Sequence, residues 1–262
     1  MKVSEIIQQL EQIAPKDCAE SWDNVGLLVG SKEQEVSKTM IALDASDEVI
    51  EQAVQEQVEL LITHHPLIFS GMKRVTDEDF IGRRVVKLIQ NNISYYAMHT
   101  NCDACVMNDL AAEKIGLKGE QLLEPVKEVE DGKWVGIGQV GHLQEEMTVQ
   151  QLVSRVKENF SAQNVKVTGP LENKISRVAI STGAGKSMVS SALQKGAQVL
   201  ITGDIDHHSA IDALSQGLQI IDAGHYGTER FMVYAIEEYL KGRNGTKLAI
   251  QVAIEQDPFQ RI

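Results

Sequence analysis

Two adjacent histidines, His64 and His65, close the apolar run Leu60-Leu61-Ile62-Thr63 and are followed by Pro66. Such a run reads as a buried parallel strand, and ligand sites of α/β proteins lie just past the carboxyl ends of such strands. The same residue types recur along the chain. His99 with Asp103, Asp204 with His207 and His208, and His225 with Glu229 each follow an apolar segment. Together these side chains offer only imidazole nitrogen and carboxylate oxygen. That donor set suits zinc, manganese, iron(II), cobalt or nickel, whereas calcium prefers oxygen alone. One ion takes three or four protein ligands, so the supply is enough for two. Paired divalent ions sit ~3.5 to 4 Å apart, bring bound water to a pKa of ~7 and polarise a carbonyl, imine or phosphoryl group. An isolated histidine is more often structural than ligating, so the reading rests on the clustering at strand ends. His99 and His208 could instead hydrogen-bond a ligating residue and orient it. His142 lies in a separate strand and is incidental.

The elements that must position these residues follow from periodicity. Val3 to Ile13 is an amphipathic helix with Ser4 available as N-cap and Pro15 as a stop. The turn Trp22-Asp23-Asn24 leads into a short strand, and its plainest reading is a capped turn with a core tryptophan. Thr39 to Leu43, Ser46 to Gln57 and Glu59 to Thr63 form a βαβ unit, hence a parallel pair. A helix from Ile81 to Asn91 and a strand from Ile93 to Met98 lead to His99, after which a helix closes at Gly116. Around Pro125 the chain turns polar and acidic, which places a domain boundary there: a first lobe of residues 1–125 and a second of 126–262, with terminal segments free to cross. Beyond it, Trp134 to Leu143 is a strand, and Thr148 with Gln151 forms a capping box that opens a helix running to Phe160. Strand and helix then alternate to a closing strand, Lys247 to Ile254.

The halves echo each other. Leu60 to His65 corresponds to Val199 to Asp204, Ile93 to His99 corresponds to Gln219 to His225, and His99-x-x-x-Asp103 stands against His225-x-x-x-Glu229. The expected fold class is therefore α/β: two related three-layer α/β lobes with a dinuclear metal site in the cleft between them.

Composition removes several classes of function. With 262 residues, 43% hydrophobic but only 5% aromatic, the chain builds aliphatic cores. A formal net charge of -12 opposes attraction to nucleic acid or to an anionic membrane surface. No signal-peptide pattern opens the chain and no run approaches the ~20 apolar residues of a membrane span, so a cytoplasmic location is expected. The cysteines, Cys18, Cys102 and Cys105, are odd in number and offer a single C-x-x-C spacing with no second pair, so they read as reduced and buried or incidental rather than as a zinc-knuckle or redox site. Thr182 to Ser187 mimics a phosphate-binding loop but has Ile180 where G-x-x-x-x-G-K-[ST] requires glycine. The Gly183 to Lys186 loop could still offer amides and a lysine to a phosphate; a tight strand-to-helix turn is the simpler reading.

Read together, Trp22-Asp23-Asn24-Val25-Gly26-Leu27, Thr63-His64-His65-Pro66, His99-Thr100-Asn101-x-Asp103, Gly203 to His208 with Asp212-Ala213, Asp222-Ala223-Gly224-His225-Tyr226-x-Thr228-Glu229 and the closing Pro258-Phe259 resemble the Nif-three-like dinuclear-metal family, known by the name GTP cyclohydrolase I type 2. The resemblance covers nearly the whole chain. It implies a toroidal homohexamer, with two divalent metal ions per subunit held by His64, His65, Asp103, His225 and Glu229. It also implies that this chain lacks the domain that longer members insert between their lobes. The implied activity is hydrolysis of GTP that opens the imidazole ring and releases formate. The other readings compatible with the same residues are a non-catalytic metal-binding or regulatory scaffold, and a phosphoesterase or amidohydrolase acting on a small molecule or nucleotide.

Overall fold

The computed structural model describes residues 1–129 and 132–259. The chain runs α1 (Val3–Ile13), β1 (Gly26–Val29), β2 (Lys38–Ala42), α2 (Asp47–Gln55), β3 (Leu60–Thr63), α3 (Phe80–Gln90), β4 (Ser94–Ala97) and α4 (Thr100–Cys102). A π-helical turn, Asp103–Met107, leads into α5 (Asn108–Ile115), β5 (Leu117–Glu128), β6 (Trp134–Thr148), α6 (Val149–Asn159), β7 (Lys166–Val167) and β8 (Lys174–Ala184). After these come α7 (Met188–Gln194), β9 (Val199–Gly203), α8 (His207–Ser215), β10 (Gln219–Asp222), α9 (His225–Glu229), α10 (Phe231–Asn244) and β11 (Ala249–Val252).

Two compact units result: Met1–Cys102 with Met232–Gln256, and Asp103–Phe231 with Asp257–Ile262. The division therefore falls between Cys102 and Asp103, not at Pro125 as the polar stretch suggested. That stretch is β5, whose Pro125 pairs with Gly136 of β6 in a long antiparallel ribbon. β5 is the edge strand of its sheet, where a proline and a polar outer row are tolerated. Glu130 and Asp131, the end of the stretch, lie outside the described residues.

The first unit is built on a sheet of order β1-β4-β3-β2-β11, in which only the β1–β4 pair is antiparallel. Met40, Leu61 and Tyr95 on one face pack with Val49, Ile50 and Ala53 of α2 and with Val85 and Leu88 of α3. The alternate strand residues Ile41, Leu60, Ile62 and Tyr96 are equally buried, so both faces are covered, as the unbroken apolar run of β3 requires. The first helix is capped at Lys2, not Ser4. The closing strand β11 belongs to this sheet, parallel to β2.

In the second unit the sheet order is β5-β6-β8-β9-β10-β7. Val178, Ile180, Val199, Ile201 and Ile221 face α5 and α6 through Ala111, Ile115, Leu152 and Val156. Ala179, Leu200 and Ile220 face the other layer, where Met188 and Ala192 of α7 and Ala213 of α8 meet them. Thr148 and Gln151 form the expected capping box at the start of α6.

The internal repeat is real at the level of topology. The order β1-β4-β3-β2 is matched by β7-β10-β9-β8, with the first pair antiparallel and the next two parallel in each case. In both, a helix follows the third of the parallel strands and begins at or beside the H-x-x-x-[D/E] element.

Candidate functional site

In the first unit the histidines come from the carboxyl ends of neighbouring parallel strands, His64 and His65 after β3 and His99 after β4. One ring nitrogen of each lies within 4.8 Å of the others. The ring centroids are 4.8 Å apart for His64 and His65, 5.1 Å for His64 and His99, and 5.6 Å for His65 and His99. His64 is fully buried; the others are half-buried.

Each ring is held from behind through Nδ1. That of His64 lies 3.0 Å from the Met98 carbonyl, that of His65 2.9 Å from Asp44 Oδ1, and that of His99 3.0 Å from Asp23 Oδ1. A carbonyl or carboxylate oxygen only accepts, so Nδ1 carries the proton in each ring and Nε2 becomes the basic nitrogen. This is how metal-ligating histidines are normally fixed. Asp23 is held further by the Thr100 backbone N–H at 3.0 Å and the Thr100 hydroxyl at 2.6 Å. Burial alone would raise the Asp23 carboxyl, but the bonds from His99 and Thr100 outweigh it and bring the pKa down to about 2. A buried tyrosine completes the support: the Tyr95 hydroxyl donates to the His65 carbonyl at 2.9 Å and accepts from the Leu67 N–H at 2.8 Å. Burial keeps that phenol protonated by raising its pKa.

In the second unit Asp103 opens the π-helical turn. His225 and Glu229 share the short helix α9, with Nε2 and Oε2 3.1 Å apart across one turn. Asp204 holds His225 Nδ1 at 2.9 Å. Asp204 has φ +51, a left-handed conformation that aspartate tolerates better than most residues. One device thus appears in both units: a carboxylate after one parallel strand reaches back-to-back onto the Nδ1 of a histidine after the next, 21 residues later, in Asp44–His65 and in Asp204–His225.

The glycine-rich loop turns out to serve this helix. A Cβ on Gly183 would stand 2.1 Å from Glu229 Oε1, and the Gly183 N–H donates to Thr228 Oγ1 at 3.0 Å. The Gly185 N–H goes to the Gly203 carbonyl at 3.2 Å, and Lys186 pairs with Asp206 at 3.0 Å. The simpler reading of the loop, a strand-to-helix turn, is the one these bonds describe.

Of the residues singled out in the sequence, His64, His65 and His99 form one group, and His225 and Glu229 are in direct contact within the other unit. Asp204 orients a histidine through its Nδ1. His207 and His208 open α8 as exposed rings 5.4 Å apart, and neither joins a group of three closely spaced metal donors among the described residues. Cys18 and Cys102 are buried and Cys105 is partly buried. Trp22, expected in the core, is 56% exposed. The orienting role of Asp23 and Asp44 was not visible in the sequence, where each is one acidic residue in a polar turn.

The groupings of imidazole and carboxylate, set at the ends of parallel strands in two repeated α/β units, define a protein with residues able to hold a metal ion. Comparison with known proteins identifies which: residues 1–258 match the Duf34/NIF3 (NGG1p interacting factor 3) family, and the chain belongs to it. A Clostridium perfringens protein named GTP cyclohydrolase 1 type 2 homolog is 36% identical over 265 aligned residues, covering 100% of both chains. Among solved structures, a Bacillus cereus protein related to NIF3 superposes with a TM-score of 0.92 at 26% identity, covering 100% of this chain and 99% of that one. Reduced HcgD from Methanocaldococcus jannaschii superposes with a TM-score of 0.82 at 33% identity, covering 96% and 97%. No helix among the described residues is long and apolar enough to cross a membrane.

Proposed function

We propose that this chain is a metal-dependent hydrolase that holds two divalent ions with His64, His65, Asp103, His225 and Glu229, and that its reaction is opening of the GTP imidazole ring by water with release of formate. The observation that carries the metal reading is the set of imidazoles whose Nδ1 protons are all fixed on oxygen acceptors, presenting Nε2 as the basic nitrogen. Carboxylate partners from Glu229 and Asp103 complete a donor set suited to zinc, manganese, iron(II), cobalt or nickel. The relatives named GTP cyclohydrolase 1 type 2 homolog support the choice of reaction.

A pair of such ions would supply Lewis acidity to the bond being broken and acidify water at neutral pH. The protein's part is to keep the ligands ready. Asp44 and Asp204 fix the tautomers of His65 and His225 and raise their basicity, while the Tyr95 and Thr63 hydroxyls pin the His65 carbonyl and so the turn that carries both histidines. His99, backed by Asp23, is suited to orient a ligand or to hand a proton across its ring. The working form is a toroidal homohexamer, for which exposed Ile211 and Leu214, one turn apart on α8, offer an apolar contact.

Metal content and turnover test this together. After reconstitution the chain should bind two ions and release formate from GTP, and His64→Ala/Glu229→Ala should lose both properties. Substantially fewer than two ions per subunit would defeat the dinuclear centre. Turnover no higher than that of the double variant, across GTP, cyclic amides and phosphoesters, would leave a metal-binding scaffold instead.

A further inference from the structure

We propose that Trp22 and Phe69 form a stacking subsite for the planar nitrogen-heterocyclic ring of a small-molecule ligand, placed beside the histidines of the first unit. The inference rests on reading those histidines as the reactive centre. Trp22 is 56% exposed and Phe69 52% exposed, yet neither hangs from a loose loop. Asp23, next to Trp22, is fastened to His99 and to Thr100. Asn24 Nδ2 donates to the Ile68 carbonyl at 2.5 Å. The turn that bears Trp22 is thereby tied to the segment bearing His99 and to the segment bearing Phe69. Rigid side chains of this kind present large contact area with little ordering cost on binding.

The rings also form a directed series. Trp22 and Phe69 stand 5.8 Å apart, tilted by 44°, and Trp22 meets His99 edge-on at 6.0 Å and 74°. His99 in turn is 5.1 Å from His64 and 5.6 Å from His65. A flat ring stacked on Trp22 would therefore lie next to His99, which itself neighbours His64 and His65. That favours a heterocycle, which combines a π-face for stacking with polar edge atoms for the donor end. The net charge of -12 selects against a polymeric nucleic acid as the source of the ring, because a phosphate backbone would be repelled.

The test uses the whole chain with Trp134→Phe, which leaves Trp22 as its sole tryptophan among the two present. Guanosine and nicotinamide are the probes, ribose 5-phosphate is the control without an aromatic ring, and metal content and oligomeric state are measured on the same samples. Saturable quenching of Trp22 fluorescence by the heterocycles and not by the control is expected. Phe69→Ala should weaken it roughly tenfold, within the range for loss of a stacked aromatic partner, with metal content unchanged. Calorimetric titration of the chain that keeps Trp134 gives the same comparison should Trp134→Phe perturb folding. No saturable binding of either ring by chain with its full metal content overturns the subsite, as does equal binding by Phe69→Ala. So does a Phe69→Ala chain whose assembly changes while ring binding does not, since a second copy would then be what covers the pair. Ring binding by chain that takes up fewer than two ions would sustain the subsite and sink the metal reading separately.

Discussion

Replacing Gly183 by alanine separates ligand placement from fold stability. A Cβ at Gly183 would lie 2.1 Å from Glu229 Oε1 and 3.4 Å from His225 Nε2, where carbon needs about 3.0 Å, so the carboxylate must withdraw by about 1 Å. The atom displaced is the far end of a side chain, so the fold can absorb the move. A metal site cannot, because ligand distances are held within about 0.2 Å. Gly183 also has φ +65, and a non-glycine residue there costs roughly 1–2 kcal/mol. Gly217→Ala isolates that backbone term: its φ is +91 and a Cβ would meet nothing within 4 Å. Both variants should lose similar stability in thermal unfolding. Only Gly183→Ala should bind metal more weakly, by roughly 10- to 100-fold in a chelator-competition titration, the range for disturbed ligand support. Wild-type affinity in Gly183→Ala would refute the placement of Glu229 as a ligand shaped by this glycine.

Other expectations follow from the supports around the histidines. Tyr95→Phe removes the hydroxyl that accepts from the buried Leu67 N–H and donates to the His65 carbonyl, and should cost about 1–3 kcal/mol in chemical denaturation; a change under about 0.5 kcal/mol would mean the turn is set by other bonds. Asp23 gives a pH signature. Its folded pKa, about 2, lies below the ordinary 3.8, so its contribution is complete above the ordinary value and fades as the pH falls toward the folded one. The stability gap between the wild type and Asp23→Asn should therefore narrow between about pH 5 and about pH 2, and a constant gap would contradict the assignment.

How far the sequence revealed this arrangement differs from element to element. The strands β3 and β9 were legible because strands buried on both faces must be unbroken apolar runs, and the histidines stood out because they interrupt such runs. Repeat matching succeeded for the same reason: parallel strands with helical crossovers leave little freedom in order or direction. β6 was legible from Trp134 onward, but its partner β5 was missed because it is an edge strand, whose polar side chains and Pro125 give the composition of a linker. Trp22 was misplaced because an indole is usually more stable buried, whereas the bonds of Asp23 and Asn24 to distant segments set its turn at the surface. Asp23 and Asp44 could not be assigned for a related reason: their partners are 76 and 21 residues away, and adjacency in the sheet brings them together.

The position of β11 bears on how the chain is made. The first unit's sheet is finished by a strand that arrives last, and the Leu43 N–H waits for Glu255 across 212 residues. At a synthesis rate of about 5–20 residues per second, β2 stays an open sheet edge for roughly 10–40 s after it emerges. During that time its unpaired backbone can recruit the same strand from a neighbouring nascent chain. A chaperone that shields this edge, or a slow step in translation placed after β11 rather than before it, would alter the yield of folded protein without touching a single contact of the finished molecule.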